Sequence, residues 1–210
     1  TMTVQAQNAL LKTLEEPPGY AVFLLLAQQE DAFLPTVLSR TVTLRLRPLP
    51  DTLVAAYLRQ EKGLQEADAA VYAAYAQGSI GTALMLLEDT GFQQMREDIL
   101  QKLAALPRLG AGEVFLWAKE LEQYKEDLRF LDVMQLWYRD LLLAKRLHSD
   151  EYLIQKDKKL EIFRCAVEPE AELARKAAVI QRARVQLARN ANFRLTMEVM
   201  LMELKENQII

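Results

Sequence analysis

The chain has 210 residues, of which 51% are apolar and 26% charged, with a formal net charge of −3 and only seven glycines and seven prolines. These proportions describe a water-soluble globular protein of one or two domains, and they argue against disorder and against a surface that binds nucleic acid all over. A single cysteine, Cys165, and a single histidine, His148, exclude an internal disulfide, a multi-cysteine metal site and a histidine cluster. Cys165 reads as a buried, inert thiol, and His148 as a structural residue at the negative end of a helix dipole. The longest uncharged apolar run, Tyr20 to Ala27, is far shorter than the roughly 18 to 20 residues of a membrane helix. With no basic, apolar leader at the start, a cytoplasmic protein is expected.

Stretches rich in Ala, Leu, Glu, Gln, Lys and Arg predict a mainly α fold. Residues 3 to 16 read as a helix capped by Thr3 and stopped by Pro17-Pro18-Gly19. The apolar run Ala21 to Ala27 has the length of a strand covered on both faces, and a short helix follows at about 31 to 39. Residues 41 to 46 alternate, with Val42, Leu44 and Leu46 on one face of a sheet-edge strand. Two strands and two helices bury too little to stand alone, so residues 1–47 read as the tail of an α/β domain and the chain as a fragment.

From Pro48 onward the pattern is helical throughout. Helices are predicted at about 52 to 62, capped by Asp51 and stopped by Gly63, then at 65 to 77 and 80 to 89, forming a three-helix bundle over residues 48–90. The break at Asp89-Thr90-Gly91 opens a third region, 91–210, with helices near 92 to 105, 112 to 124, 126 to 148, 152 to 166, 169 to 190 and 193 to 206. Trp117, Trp137 and Tyr138 read as core, as do Leu195, Val199 and Met202 on the last helix, which Asn192 caps. Arg175, Arg182 and Arg189 fall on one stripe that reads first as a solvated face, with a subunit contact or DNA phosphates as alternatives.

No catalytic apparatus is legible. A phosphate-cradling loop requires Gly-Lys, and the chain contains no such pair; Gly110-Ala111-Gly112 lacks the third glycine of a dinucleotide fingerprint, and Gly78-Ser79-Ile80-Gly81 has the wrong spacing for a nucleophile elbow. The expectation is therefore no cofactor and no metal.

Three strings carry more information than the composition. They are Asn8-Ala9-Leu10-Leu11-Lys12-Thr13-Leu14-Glu15-Glu16-Pro17-Pro18, Leu34-Pro35-Thr36-Val37-Leu38-Ser39-Arg40, and Asn190-Ala191-Asn192-Phe193-Arg194-Leu195-Thr196-Met197-Glu198. The first two resemble the second half of the nucleotide-binding core of the clamp-loader AAA+ family, whose members open a sliding clamp and close it on primed DNA. The third is similar to the final helices of the delta-prime branch of that family in bacterial DNA polymerase III.

The resemblance implies a remnant of an α/β AAA+ core over 1–47, a helical lid over 48–90 and an all-helical collar over 91–210. It also implies that Arg40, in Ser39-Arg40-Thr41 where the family has Ser-Arg-Cys, is an arginine finger reaching the nucleotide of a neighbouring subunit. A permanently charged planar fork suits a γ-phosphate on which negative charge spreads. Where hydrolysing members carry a γ-phosphate sensor this chain has Gln28-Gln29, and Gly81 stands in place of the lid arginine. The implied role is that of a non-hydrolysing subunit with gamma/tau and delta partners, and through them the sliding clamp and primer-template DNA. A gamma/tau-like ATPase is one alternative, and a purely structural helical scaffold is another.

Overall fold

Helices and short 3₁₀ turns make up the regular secondary structure of the described residues, 2–27 and 29–206, in the computed structural model. The chain divides into two compact units, residues 1–47 and 48–210.

In the first unit α1 spans Val4–Glu15, and Thr3 Oγ1 accepts the Ala6 N–H at 3.2 Å, as a cap should. The predicted helix at 31 to 39 is two pieces, a 3₁₀ turn at Glu30–Ala32 and α2 at Pro35–Leu38, separated by Phe33 and Leu34. Pro35 at the first helical position explains the restart, since its missing N–H and fixed φ suit a helix N-terminus.

The two expected strands do not form: residues 21–27 and 41–46 carry no regular structure. Val22, Leu24, Leu26, Val42, Leu44 and Leu46 are between 82% and 94% exposed. A strand exists only through a ladder with a neighbour, and an apolar run or an alternating pattern supplies none by itself.

The second unit continues with α3 (Asp51–Lys62), α4 (Glu66–Tyr75), α5 (Ile80–Glu88), α6 (Thr90–Ala105), α7 (Ala111–Glu120), α8 (Arg129–Leu147), α9 (Lys159–Cys165), α10 (Glu170–Ala188) and α11 (Phe193–Lys205). Asp51 is the first residue of α3 and not its cap; Pro50 takes that place, its carbonyl accepting the Leu53 N–H at 2.9 Å. Gly63 ends α3 at φ 68°, a left-handed conformation that glycine adopts without steric cost. Ser79, Asp89 and Asn192 each cap a helix through a side-chain oxygen.

Two apolar cores lie in this unit. Val54, Leu58, Ala69, Ala73, Ala76 and Ala83 form a small one among α3, α4 and α5. The larger is built on α8, where Phe130, Leu131, Val133, Met134 and Trp137 are at most 2% exposed, and it takes in Trp117, Tyr138, Met197 and Leu201. Tyr75 of α4 joins this second core edge-on to Phe92, ring centroids 5.2 Å apart.

A buried polar network fixes the loop after α8. The Asp140 carboxylate, fully buried, accepts the Ile154 and Gln155 backbone N–H groups at 3.1 and 2.8 Å and pairs with Arg139. Burial pushes its pKa up while these hydrogen bonds pull it down, and burial dominates. Gln155, also fully buried, accepts from the Tyr75 hydroxyl and from Arg96, both at 3.3 Å.

His148 caps α8 in a left-handed conformation at φ 50°. Cys165 is a free thiol, half-buried, its pKa raised by burial. Trp117, Trp137 and Tyr138 are core, as expected. Leu195 and Val199 are not: they are 60% and 48% exposed, and α11 buries Thr196, Met197, Met200, Leu201 and Leu204 instead. The arginine stripe is partly used within the unit. Arg175 bonds Glu172 and the Glu203 and Glu206 carbonyls, and Arg182 pairs with Glu203, so two of the three tie α10 to α11. No helix among the described residues is long and apolar enough to cross a membrane.

Candidate functional site

Arg40 follows directly on α2, and the local sequence explains its place. Val37, 1% exposed, anchors the short helix, and the Arg40 N–H donates to the Val37 carbonyl at 3.1 Å, closing the last turn. Thr41 Oγ1 lies 3.3 and 3.2 Å from the Val37 and Leu38 carbonyls, so the hydroxyl satisfies helix-end acceptors that a thiol would bond only weakly. The Thr41 hydroxyl thereby helps close the turn that carries Arg40.

The Arg40 guanidinium is held from two sides. Its Nη1 donates to the Thr36 carbonyl at 2.9 Å and to Ser39 Oγ at 3.3 Å. Its Nε donates to Glu15 Oε1 at 2.7 Å, and Nη2 lies 2.5 Å from the same oxygen. Arg40 and Glu15 are 35% and 49% exposed at the side chain, so the pair sits at the surface within reach of solvent and solute.

Gln7 carries no signal in the sequence, yet it is the buried polar side chain of α1, at 4% exposure. Its Nε2 donates to the Ala32 carbonyl at 3.0 Å and its Oε1 accepts the Leu34 N–H at 2.8 Å. These bonds fasten the chain immediately before Pro35 to α1, and so fix where α2 begins and where Arg40 emerges. Arg45 forks onto Glu30 at 2.7 and 3.0 Å, which lowers the Glu30 pKa chiefly through the hydrogen bond.

Of the pair read in place of a γ-phosphate sensor, Gln28 lies outside the described residues, and Gln29 is exposed at the start of the 3₁₀ turn with no side-chain cap bond. Gly81 is exposed in the first turn of α5, with only Ser79 Oγ, at 3.9 Å, near the position of a Cβ. Gly78 differs. At φ 82°, a Cβ there would meet the Leu49 carbonyl oxygen and Pro48 Cβ at 2.6 Å, and its carbonyl accepts the Leu49 N–H at 3.0 Å. No cluster of three or more metal-ligating side chains occurs among the described residues.

Residues 1–50 match the protein family described as DNA polymerase III, delta subunit. The chain is 33% identical over 130 residues to DNA polymerase III subunit delta' of Escherichia coli, covering 62% of this chain and 39% of that protein. It is 26% identical over 214 residues to subunit delta' of Bacillus subtilis, covering 98% of this chain and 63% of that protein. It is also 25% identical over 185 residues to subunit tau of Bacillus subtilis, covering 78% of this chain and 33% of that protein. The chain thus spans between about a third and somewhat under two thirds of the length of these relatives. The resemblance read from the residues, to a clamp-loader subunit of the delta-prime type in DNA polymerase III, is borne out by these matches.

Proposed function

We propose that the chain acts in a DNA polymerase III clamp loader as a subunit that does not itself hydrolyse ATP and that presents Arg40 to the nucleotide of a neighbouring ATPase subunit. The observation that carries this reading is the placement of Arg40. It stands at the surface directly after a short helix that Val37 and Gln7 fix to α1, where the planar fork of a guanidinium can meet a phosphate across an interface. Gly81, exposed in the first turn of α5, offers no charge for a nucleotide of the chain's own.

In this reading residues 1–47 are part of an AAA+ core. The alternate exposed positions Val22, Leu24 and Leu26, and Val42, Leu44 and Leu46, are the open faces of segments that become strands only beside further strands. Residues 48–90 form the lid and 91–210 the collar. The collar joins gamma/tau and delta subunits, and the exposed α11 stripe of Leu195 and Val199, with half-buried Met202 one turn on, supplies an apolar face for that contact. The sliding clamp and primer-template DNA are reached through the assembly.

Two measurements test the reading. Calorimetric titration of this chain with ATP should show no binding, and micromolar affinity would favour the ATP-hydrolysing alternative. In a loader reconstituted with the full protein, Arg40→Ala should slow ATP hydrolysis at the neighbouring site while the subunits stay assembled.

A further inference from the structure

We infer that Glu15 is a built-in competitor for Arg40: its carboxylate fills the edge of the guanidinium that a phosphate would take, and holds the arginine parked until a nucleotide displaces it. This rests on the assignment of Arg40 as a finger and adds a role for a residue of the preceding helix.

A guanidinium has five N–H groups in a fixed fork, and two-point recognition of an oxyanion uses two adjacent nitrogens. On Arg40 the Nε and Nη2 edge is turned to Glu15 Oε1, at 2.7 and 2.5 Å, while Nη1 is committed to the Thr36 carbonyl and Ser39 Oγ. No complete two-nitrogen edge remains free, so an incoming phosphate binds two-pronged only after Glu15 lets go.

The exchange is easy because both partners are at the surface, where ion pairs are weak. A polyphosphate also carries more charge than a carboxylate. Glu15 therefore moderates Arg40 without silencing it. The bond to the Thr36 carbonyl keeps the arginine against the end of α2 once Glu15 has gone.

The test uses the loader reconstituted with full protein and measures ATP turnover without clamp or DNA, and again with both. Removing the competing charge in Glu15→Gln should raise the unstimulated rate about two- to fivefold, the range set by the weakness of surface pairs. The stimulated maximum should change less, because a well-placed phosphate already displaces Glu15. In the double variant Glu15→Gln with Arg40→Ala, the rate should equal that of Arg40→Ala alone.

A lower or unchanged unstimulated rate in Glu15→Gln overturns the inference, as does acceleration that persists in the double variant. If Arg40→Ala by itself leaves turnover unchanged, the finger assignment fails and the inference with it. If Arg40→Ala slows turnover and Glu15→Gln does nothing, only the role of Glu15 is lost.

Discussion

Gln7 Oε1 accepts the Leu34 N–H at 2.8 Å, and through this one bond the first helix dictates where the short helix leading to Arg40 starts. The same amide donates to the Ala32 carbonyl, so a single buried side chain satisfies two backbone groups that precede Pro35.

Replacing Gln7 by Ala should therefore destabilise the first unit by about 1 to 3 kcal/mol, the penalty for leaving buried polar groups unpaired. Its neighbour Asn8 is exposed, and Asn8→Ala should change stability by less than about 0.5 kcal/mol. Limited proteolysis across residues 17 to 34, compared for the two variants, checks this: faster cleavage in Gln7→Ala alone is the expected result, and equal rates in both would contradict it.

The two glycines of the segment 78 to 84 should respond in opposite directions to alanine. At Gly78 the backbone is left-handed and a Cβ would lie 2.6 Å from the Leu49 carbonyl oxygen, so Gly78→Ala should lose more than about 1 kcal/mol. At Gly81 the backbone is helical and the space open, so Gly81→Ala should gain roughly 0.5 to 1 kcal/mol. Urea unfolding of both variants decides it, and a stabilised Gly78→Ala would show that the contact with Pro48 and Leu49 is wrong.

The carboxylates around Arg129 contribute stability to the second unit that acid removes. Asp89 caps α6 by accepting the Phe92 N–H at 2.9 Å and pairs with Arg129 at 2.8 Å; the cap bond first, then the arginine, hold its pKa below the ordinary value. Asp127 is lowered chiefly by its hydrogen bond to the same arginine. A depressed folded pKa means stability present above the unfolded value, near 3.9, and lost as the pH falls through the folded one. Asp132 and Asp140, raised by burial, act with the opposite sign. The comparison to make is thus between the protein and Asp89→Asn in thermal melts from about pH 6 down to pH 3. The variant should be less stable at pH 6, with the difference shrinking toward pH 3, and a difference independent of pH would remove the linkage.

Most helices were legible because caps and breakers mark their ends: Thr3, Gly63, Ser79 and Asn192 act as their residue types suggest. Asp51 misled because a proline before it takes over the cap position. Segments 21–27 and 41–46 misled more deeply, since a strand depends on a partner that no local pattern contains. On α11 two apolar stripes run side by side, and periodicity could not tell which faces inward; Met197, Met200, Leu201 and Leu204 do, and Leu195 and Val199 do not.

For the site, the string around Arg40 was legible as a motif, whereas its surroundings were not. Gln7 looked like any polar residue of an exposed helix face, and Glu15 like one acid of two before the prolines. Only the fold brings Glu15 to Arg40 across 25 residues and Gln7 to Leu34 across 27.

The role of Arg40 is tested most directly by ATP turnover in a clamp loader reconstituted with the full protein carrying Arg40→Ala, stimulated by clamp and primed DNA, with assembly followed by gel filtration. Loss of a finger arginine lowers the rate at the site it serves by about 10³ to 10⁵, and Arg40→Lys, which keeps the charge but loses the fork, should recover little of it. Assembly should stay intact in both variants, with turnover lost at that one site. Turnover and clamp loading equal to those of the unaltered loader would contradict it and leave Arg40 an ordinary surface arginine.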